Sequence, residues 1–423
     1  MEEGAFEAAP VVPQDRIAAI GANATLLMHP SSDKESMEKL MPRIQIEHID
    51  AAAGLQPLLR IEAETLLVFW RGDRPVGQVI DQGVPGTLID LSRHWAQLAE
   101  TAPDAGAYRP ARSPSTDATA SLVICTRDRP EELIRCLASL EKQAQTPDEV
   151  IVVDNASRDG RTRAAAEAAG VIYVHEDRPG LDIARNAGVR AARGDIIAFT
   201  DDDVRLHPSW FERLTGALED GTAMAATGLV LPAELETEAQ QIFERHWGFG
   251  RGYEPQTFGA EFFAADTKTG SEVWQIGAGA SMAFRREAFD LAGLFDERLD
   301  VGAAGCSGDS EFWHRILSKG GVCRYEPAAV AFHYHRRDLA GLSSQIYHYM
   351  KGHSAALLVQ YERSRNRGNL WRAFNFLPRY YAGRSWKRLR YGERPENRFL
   401  RQEIAGFLAG IAYYLRHARA SRG

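Results

Sequence analysis

Between Ser121 and Asp203 the chain alternates short apolar runs with stretches of helical character, and this limits the fold more than anything else in its 423 residues. Ser121–Thr126, Glu149–Asp154, Val171–Val174 and Ile196–Thr200 are the apolar runs, rich in Val and Ile. Unbroken runs of this length make strands buried on both faces. Helical stretches separate them, from Arg129 to about Gln145, from the loop Asn155–Gly160 to Gly170, and from Leu181 to Arg193. Such alternation predicts a parallel α/β sheet. Ligands of these sheets bind beyond the carboxyl ends of the strands. Thr126, Asp154 with Asn155, and Asp201–Asp203 all stand at such ends, so three strands deliver polar groups to one crevice.

The last of these strands runs into three consecutive carboxylates, Asp201, Asp202 and Asp203. Adjacent carboxylates repel unless a cation or several donors sit among them. Hard divalent cations take oxygen ligands, so the triplet suits a metal held against a diphosphate; a solvated acidic turn is the plain alternative. The glycine-rich phosphate fingerprints GxGxxG and GxxxxGK[ST] are missing, which argues against a dinucleotide or P-loop enzyme. Without backbone amides to cradle phosphate, a metal would have to neutralise it.

Around this core the text is less regular. Residues 1 to about 30 are Ala-rich and weakly patterned, and 101–118 read as a linker rich in Ala, Pro, Ser, Asp and Thr. Between them, Arg43–Ile46, Thr65–Trp70 and Val76–Ile80 predict a small α+β accessory domain with a hairpin; the tripeptide Arg71-Gly72-Asp73 at its turn reads as chance. Four cysteines without metal spacing (Cys125, Cys136, Cys306, Cys323) read as buried small hydrophobes in a reducing compartment. No apolar run approaches the ~18 residues of a membrane span. From Arg336 to Gly423, 18 Lys and Arg face five Asp and Glu, so the overall −7 hides a basic tail on an acidic body. The tail is helical in pattern. It interleaves cations with aromatics over Arg379–Tyr391 and closes on the apolar stretch Ile404–Leu415, which suits either an anionic bilayer surface or packing on the core.

Several segments, in order and spacing, resemble a family 2 glycosyltransferase of the GT-A fold over roughly residues 119–337. They are the first strand with Thr126, Val152–Ser157, Pro179–Gly188, Asp201–Asp203, Gly277–Arg286, Gly308–Trp313, and Tyr325-Glu326-Pro327 leading to His333. The resemblance implies a Rossmann-like core that binds a nucleoside-diphosphate sugar. Thr126, Asp154 and Asn155 would contact base and ribose, Arg185 and Asn186 would lie over the diphosphate, and Asp201 and Asp202 would lie near ribose or sugar hydroxyls. Asp203, with Asp201 and His333, would hold Mn2+ or Mg2+. Asp309 would be the catalytic base of an inverting displacement. Many relatives carry Glu-Asp where this chain has Gly308-Asp309, which leaves Asp309 the main candidate and Glu311 a substitute.

The expectation is therefore a three-part chain: an N-terminal accessory domain over 1–100, the 101–118 linker, a GT-A domain over 119–337, and a basic amphipathic helical region over 338–423. The expected activity is metal-dependent, inverting transfer of one sugar to a hydroxyl of a carbohydrate or lipid-linked acceptor (a hexosyltransferase-type enzyme). No Gln-x-x-Arg-Trp motif of processive members occurs. The expected location is cytoplasmic, peripheral at the inner face of a membrane, with no nucleic-acid partner. The alternatives are a nucleotidyltransferase or a degenerate sugar-nucleotide-binding protein. Asp309 as a helix cap, a purely structural His333, His333 and His335 on opposite sides of a strand, and a sugar-stacking platform of Trp274 and Trp313 are further readings left open at this level.

Overall fold

The computed structural model describes residues 43–51, 55–100, 108, 118–265, 268–392 and 397–420. The loose segment expected over 1–30 and the linker over 101–118 lie outside these residues, apart from Tyr108 and Ala118. The described chain begins with a small mixed sheet. Strand β1 (Gln45–Asp50) pairs in parallel with β3 (Thr65–Arg71), which turns at Gly72 and Asp73 into antiparallel β4 (Arg74–Asp81). Strands β2 (Leu58–Ile61) and β5 (Thr87–Asp90) form a two-stranded ribbon that leads into helix α1 (Leu91–Ala99). The side chains of β3 alternate between two cores, as the two-residue period of a strand requires. Leu67 and Phe69 pack with Ile61 and Val76 of this unit, while Leu66, Val68 and Trp70 join the core of the main sheet. Trp70 stacks on His207 at 5.0 Å, and Asp73 binds Arg213 at 2.6 Å. Asp73 of the Arg-Gly-Asp tripeptide thus fastens the hairpin to the core.

The main sheet has nine strands. β6 (Ala120–Thr126), β7 (Glu149–Asn155), β8 (Ile172–Glu176) and β9 (Ile196–Asp201) are its parallel half, ordered β9-β6-β7-β8. Helices α2 (Pro130–Leu140), α3 (Arg161–Ala168) and α4 (Leu181–Ala191) connect them, ending a few residues earlier than the sequence pattern predicts. Leu122 and Ile124 of β6 enter one core and Val123 the other, so both faces are covered and the continuous apolar runs are explained.

The second half departs from the expected parallel sheet. After β10 (Val204–Leu206), α5 (Trp210–Gly216), β11 (Ala225–Pro232), α6 (Glu238–Trp247), β12 (Gln256–Phe258) and α7 (Ala260–Ala265), strand β13 (Ser281–Arg285) inserts antiparallel between β9 and β11. Helices α8 (Arg286–Ala292) and α9 (Gly308–Ser318) follow, then β14 (Cys323–His333), parallel to β11 and antiparallel to β10. The reversals position the crevice. A strand antiparallel to β9 begins where β9 ends, so Ser281 pairs with Thr200 and the Gly277–Ala280 turn lies beside Asp201. By the same logic Val204 pairs with His333, which carries that imidazole to the acidic triplet.

Helices α10 (Leu339–Ser364), α11 (Arg367–Trp371), α12 (Leu377–Tyr391) and α13 (Leu400–Ala420) complete the chain, with a π turn at Arg372–Phe376. The apolar 404–415 stretch belongs to α13, and part of it packs against α10. A Cβ at Gly406 would come within 2.2 Å of the Tyr347 carbonyl oxygen and one at Gly410 within 2.0 Å of that of Lys351, so glycine allows the two backbones to touch. Among the described residues no helix is long and apolar enough to cross a membrane.

Trp70→Ala removes a core side chain shared by the small sheet and the main one, and is expected to cost about 3–5 kcal/mol. Chemical denaturation should show one destabilised transition. Loss of a separate early transition, with the rest unmoved, would mean that the small sheet melts independently.

Candidate functional site

Asp201 ends β9, Asp202 and Asp203 form the turn into β10, and His333 ends β14. Ligand atoms of Asp201, Asp203 and His333 lie within 4.8 Å of one another. Two carboxylates and an imidazole at that spacing fit one small divalent ion, with Mn2+ or Mg2+ matching the hard oxygen donors. The electrostatics show a charge still to be balanced. Burial, then the neighbouring Asp203, pushes Asp201 up to about 6. Burial and Asp203 likewise push Asp202 up to about 7, although Arg129 and the Thr126 hydroxyl pull it down. Asp203 is also buried, yet His333 and Arg129 hold its carboxyl below the usual range. Burial opposes charge on His333, but Asp203 at 3.3 Å raises its pKa. The imidazolium is thus the local counter-charge, a task a divalent ion would take over.

His333 is oriented from behind. Strand β14 stops at His333, so the expected alternation fails at once and His335 turns back to place Nδ1 3.0 Å from Nδ1 of His333. Nε2 of His335 lies 3.1 Å from Glu244. With Glu244 accepting from Nε2–H, Nδ1 of His335 is left to accept from Nδ1–H of His333. Nε2 of His333 then faces the acidic pair, where it donates to Asp203 while protonated and would offer its lone pair once a divalent ion takes the proton's place. Glu244 on α6 has no motif signal, so sequence reading missed it.

The expected nucleotide contacts divide in the structure. Asp154 gives one oxygen to the Tyr173 hydroxyl at 2.8 Å, and its Oδ1 is buried without a hydrogen-bond partner, open to a ligand donor. The Thr126 hydroxyl donates to Asp202 at 2.7 Å, and Arg129 donates to Asp202 and Asp203 at 3.0 and 3.1 Å. Asn155 is occupied elsewhere: its amide donates to the Arg178 carbonyl and accepts from the Gly180 backbone N–H, both at 2.8 Å, which shapes the loop before α4. Asn186 is likewise consumed, clasping the backbone of Phe295 at 3.0 and 2.9 Å. Both amides hold loops, so neither is brought to the crevice as a free group.

A second buried polar cluster gathers around Arg185. Its guanidinium binds Asp182 at 3.0 Å and Asp300 at 2.7 Å. Arg185 and Asp309 both approach the Gly279 turn; a Cβ there would stand 2.8 Å from Nη2 of Arg185 and 3.0 Å from Oδ2 of Asp309. Arg185 is therefore locked among carboxylates instead of lying loose over the crevice. Asp309 is not a cap: Ser307 holds that position and Asp309 lies in the first turn of α9. Burial, then Asp300, raises its pKa above the ordinary range, against the pull of Arg185. The unusual glycine at 308 has a steric reason. A Cβ there would lie 1.9 Å from Oδ2 of Asp182, so the Asp182 carboxylate fills the space a side chain would need.

Other expected participants lie elsewhere. Glu311 is buried in ion pairs with Arg315 at 2.8 Å and Arg363 at 3.1 Å, joining α9 to α10. Trp313 is fully buried and cannot be a platform. Trp274 has Arg372 over its ring at 4.8 Å and His353 against it at 5.0 Å.

Residues 121–291 match the family model described as Glycosyl transferase family 2. A TPR repeat-containing protein of Synechococcus elongatus is 40% identical over 126 residues, 30% of this chain and 29% of that protein. The pre-mycofactocin glycosyltransferase of Mycobacterium tuberculosis is 29% identical over 250 residues, 58% of this chain and 49% of its own length. The chain thus spans 29% and 49% of these two relatives' own lengths, half or less of each. A mannosyltransferase from Pyrobaculum calidifontis, solved with GDP-Man and Mn2+, aligns over 77% of this chain and 94% of its own at 18% identity, with a TM-score of 0.49.

Two substitutions probe this geometry. Glu244→Gln should weaken Mn2+ affinity about 10–100-fold in a calorimetric titration, since it loosens the imidazole behind the ligand; an unchanged affinity refutes the relay. Gly308→Ala should cost about 1–3 kcal/mol in wild type. That cost should shrink in an Asp182→Ala background, and equal costs in both would dismiss the collision.

Proposed function

We propose, from the match of residues 121–291 to the glycosyl transferase family 2 model, that the chain moves one sugar from a nucleoside-diphosphate sugar to a hydroxyl of a glycan or lipid-linked acceptor, with inversion. The reading rests on a metal-grade trio standing beside a separate buried carboxylate. Asp201, Asp203 and His333 gather within 4.8 Å, while Asp309 reaches the Gly279 turn from α9.

Asp154, with its unpartnered Oδ1, would receive a donor group of the nucleoside. Asp201, Asp203 and His333 would hold Mn2+ or Mg2+, which when bound supplies the positive charge that a departing diphosphate needs. Asp309 would accept the proton of the acceptor hydroxyl as that oxygen forms the glycosidic bond and the sugar–phosphate bond breaks. Arg185, fixed by Asp182 and Asp300, is the cation that favours an ionised Asp309. Thr126 and Arg129 hold Asp202 in the turn, which keeps Asp201 and Asp203 aimed at the ion. Four unpaired cysteines suit a reducing, cytoplasmic setting.

A thermal-shift panel of UDP, GDP, TDP and CMP nucleotides, with and without Mn2+, tests the donor half. A ligand at a hundredfold excess over Kd stabilises by about 2.7 kcal/mol. One diphosphate should raise the melting midpoint only with Mn2+, and Asp203→Ala should abolish the shift; indifference to every nucleotide would sink the transferase reading. Asp309→Asn should keep that shift while turnover falls about 10²–10⁴-fold. A base works only when ionised, so the rate should climb with pH through a pKa above the usual carboxylate range, and that limb should vanish in Asp309→Asn.

A further inference from the structure

Helix α12 carries two apolar faces, and among the described residues only one is packed. Leu377 and Tyr381 are buried against the bundle, with Tyr381 on Phe407 of α13 at 5.7 Å. Pro378, Ala382, Trp386 and Leu389 recur at spacings of four, four and three residues, roughly a third of a turn round from the packed face, and all are exposed. Trp386 is 62% exposed and Leu389 81%. Just upstream, Trp371 and Phe374 are 44% and 57% exposed. Scattered exposed apolar residues need no explanation, but a stripe along one helix does.

Charge identifies what can cover it. Residues 367–391 contain seven Lys and Arg and no Asp or Glu. Three of the seven are engaged inward: Arg372 with Glu272, Arg384 with Glu403, and Arg388 with the Asn397 carbonyl oxygen. Arg379, Lys387 and Arg390 are exposed and, at helical spacing, lie along one side of the apolar stripe, away from the packed face. A second copy docked on the same stripe about a two-fold axis would bring the cations against each other. A nucleic acid would answer the charge but leave Leu389 and Trp386 in water. A surface with anionic headgroups above acyl chains answers both, because cations reach the headgroups while tryptophan and leucine enter the boundary.

We propose that α12, with Trp371 and Phe374 before it, lies flat on an anionic lipid bilayer and inserts Trp386 and Leu389 into it. The helix spans about 22 Å along the surface, enough to engage several headgroups. Neither the apolar stripe nor the cations would suffice alone, since stable interfacial binding takes two signals. The proposal rests on this surface and not on the transferase reading. If both hold, docking would bring the crevice to lipid-linked acceptors.

The test is flotation of the full chain with vesicles of phosphatidylcholine alone and of phosphatidylcholine mixed with phosphatidylglycerol. Wild type should float with the mixed vesicles, shift its tryptophan emission to the blue, bind phosphatidylcholine alone weakly, and detach at about 1 M salt. Trp386→Ser with Leu389→Ser should lower the partition coefficient at least tenfold. Lys387→Glu with Arg390→Glu should lower it by roughly fivefold or more per residue. All four side chains are exposed, so melting midpoints and the nucleotide response should be unchanged, which separates failure here from failure of the transferase reading. Three results overturn the proposal: no binding to the mixed vesicles, variants that bind as wild type does, or variants whose only effect is to abolish self-association or RNA binding.

Discussion

Arg185 sits almost wholly out of solvent with Asp182 at 3.0 Å and Asp300 at 2.7 Å, and the rest of the crevice depends on that buried cation. A carboxylate removed from water raises its pKa or finds a partner, and a lone buried charge is costly. Around this crevice the chain collects Asp154, Asp182, Asp201, Asp202, Asp203, Asp300 and Asp309. Against them stand Arg185, Arg129 and His333. Each cation serves two purposes: it allows the fold to keep its carboxylates, and it sets which are ionised. Removing one partner of such a pair is more damaging than never having built it, so the arrangement is rigid by necessity. What remains incompletely compensated are Asp201 and Asp202, both pushed up by burial and by the neighbouring Asp203, and a metal fits between Asp201, Asp203 and His333.

The sheet's reversals complete the arrangement. A purely parallel sheet would bring only its own carboxyl ends to the crevice. With β13 antiparallel to β9, the turn that precedes β13 arrives beside the acidic triplet, and with β14 antiparallel to β10 the late His333 arrives there too. Residues 130 positions apart, Asp203 and His333, become neighbours at 3.3 Å through backbone pairing.

The C-terminal helices are tied to this core through ion pairs of α10. Arg363 of α10 reaches Glu311 of α9 at 3.1 Å and Asp296 at 2.6 Å, while Arg298 reaches Glu362 at 3.1 Å. Asp309 lies one turn or less from Glu311 on α9. The Gly406 and Gly410 contacts hold α13 against α10, and the outer face of α12 is exposed among the described residues.

Local pattern determined the parallel half of the sheet, the hairpin at Gly72 and Asp73 and the helical tail, because strand runs and turns are short-range; the grouping of Asp201, Asp203 and His333 was implied only by the family resemblance, and it is the pairing of β10 with β14 that sets the three side by side. It placed Asn155 and Asn186 at the crevice, where the structure spends their amides on the loops at Gly180 and Phe295. It offered Glu311 and Trp313 for chemistry, where the structure buries one in ion pairs and the other in the core. It set His335 opposite His333, where the end of β14 brings the two rings together. It could see that Gly308 was unusual but not why, since the reason is Asp182, delivered from another helix. Sequence spacing therefore settles which groups stand at the ends of strands. Only tertiary packing decides which of them still have an atom to offer, because a hydrogen bond or an ion pair already made to a distant residue takes a side chain out of the chemistry.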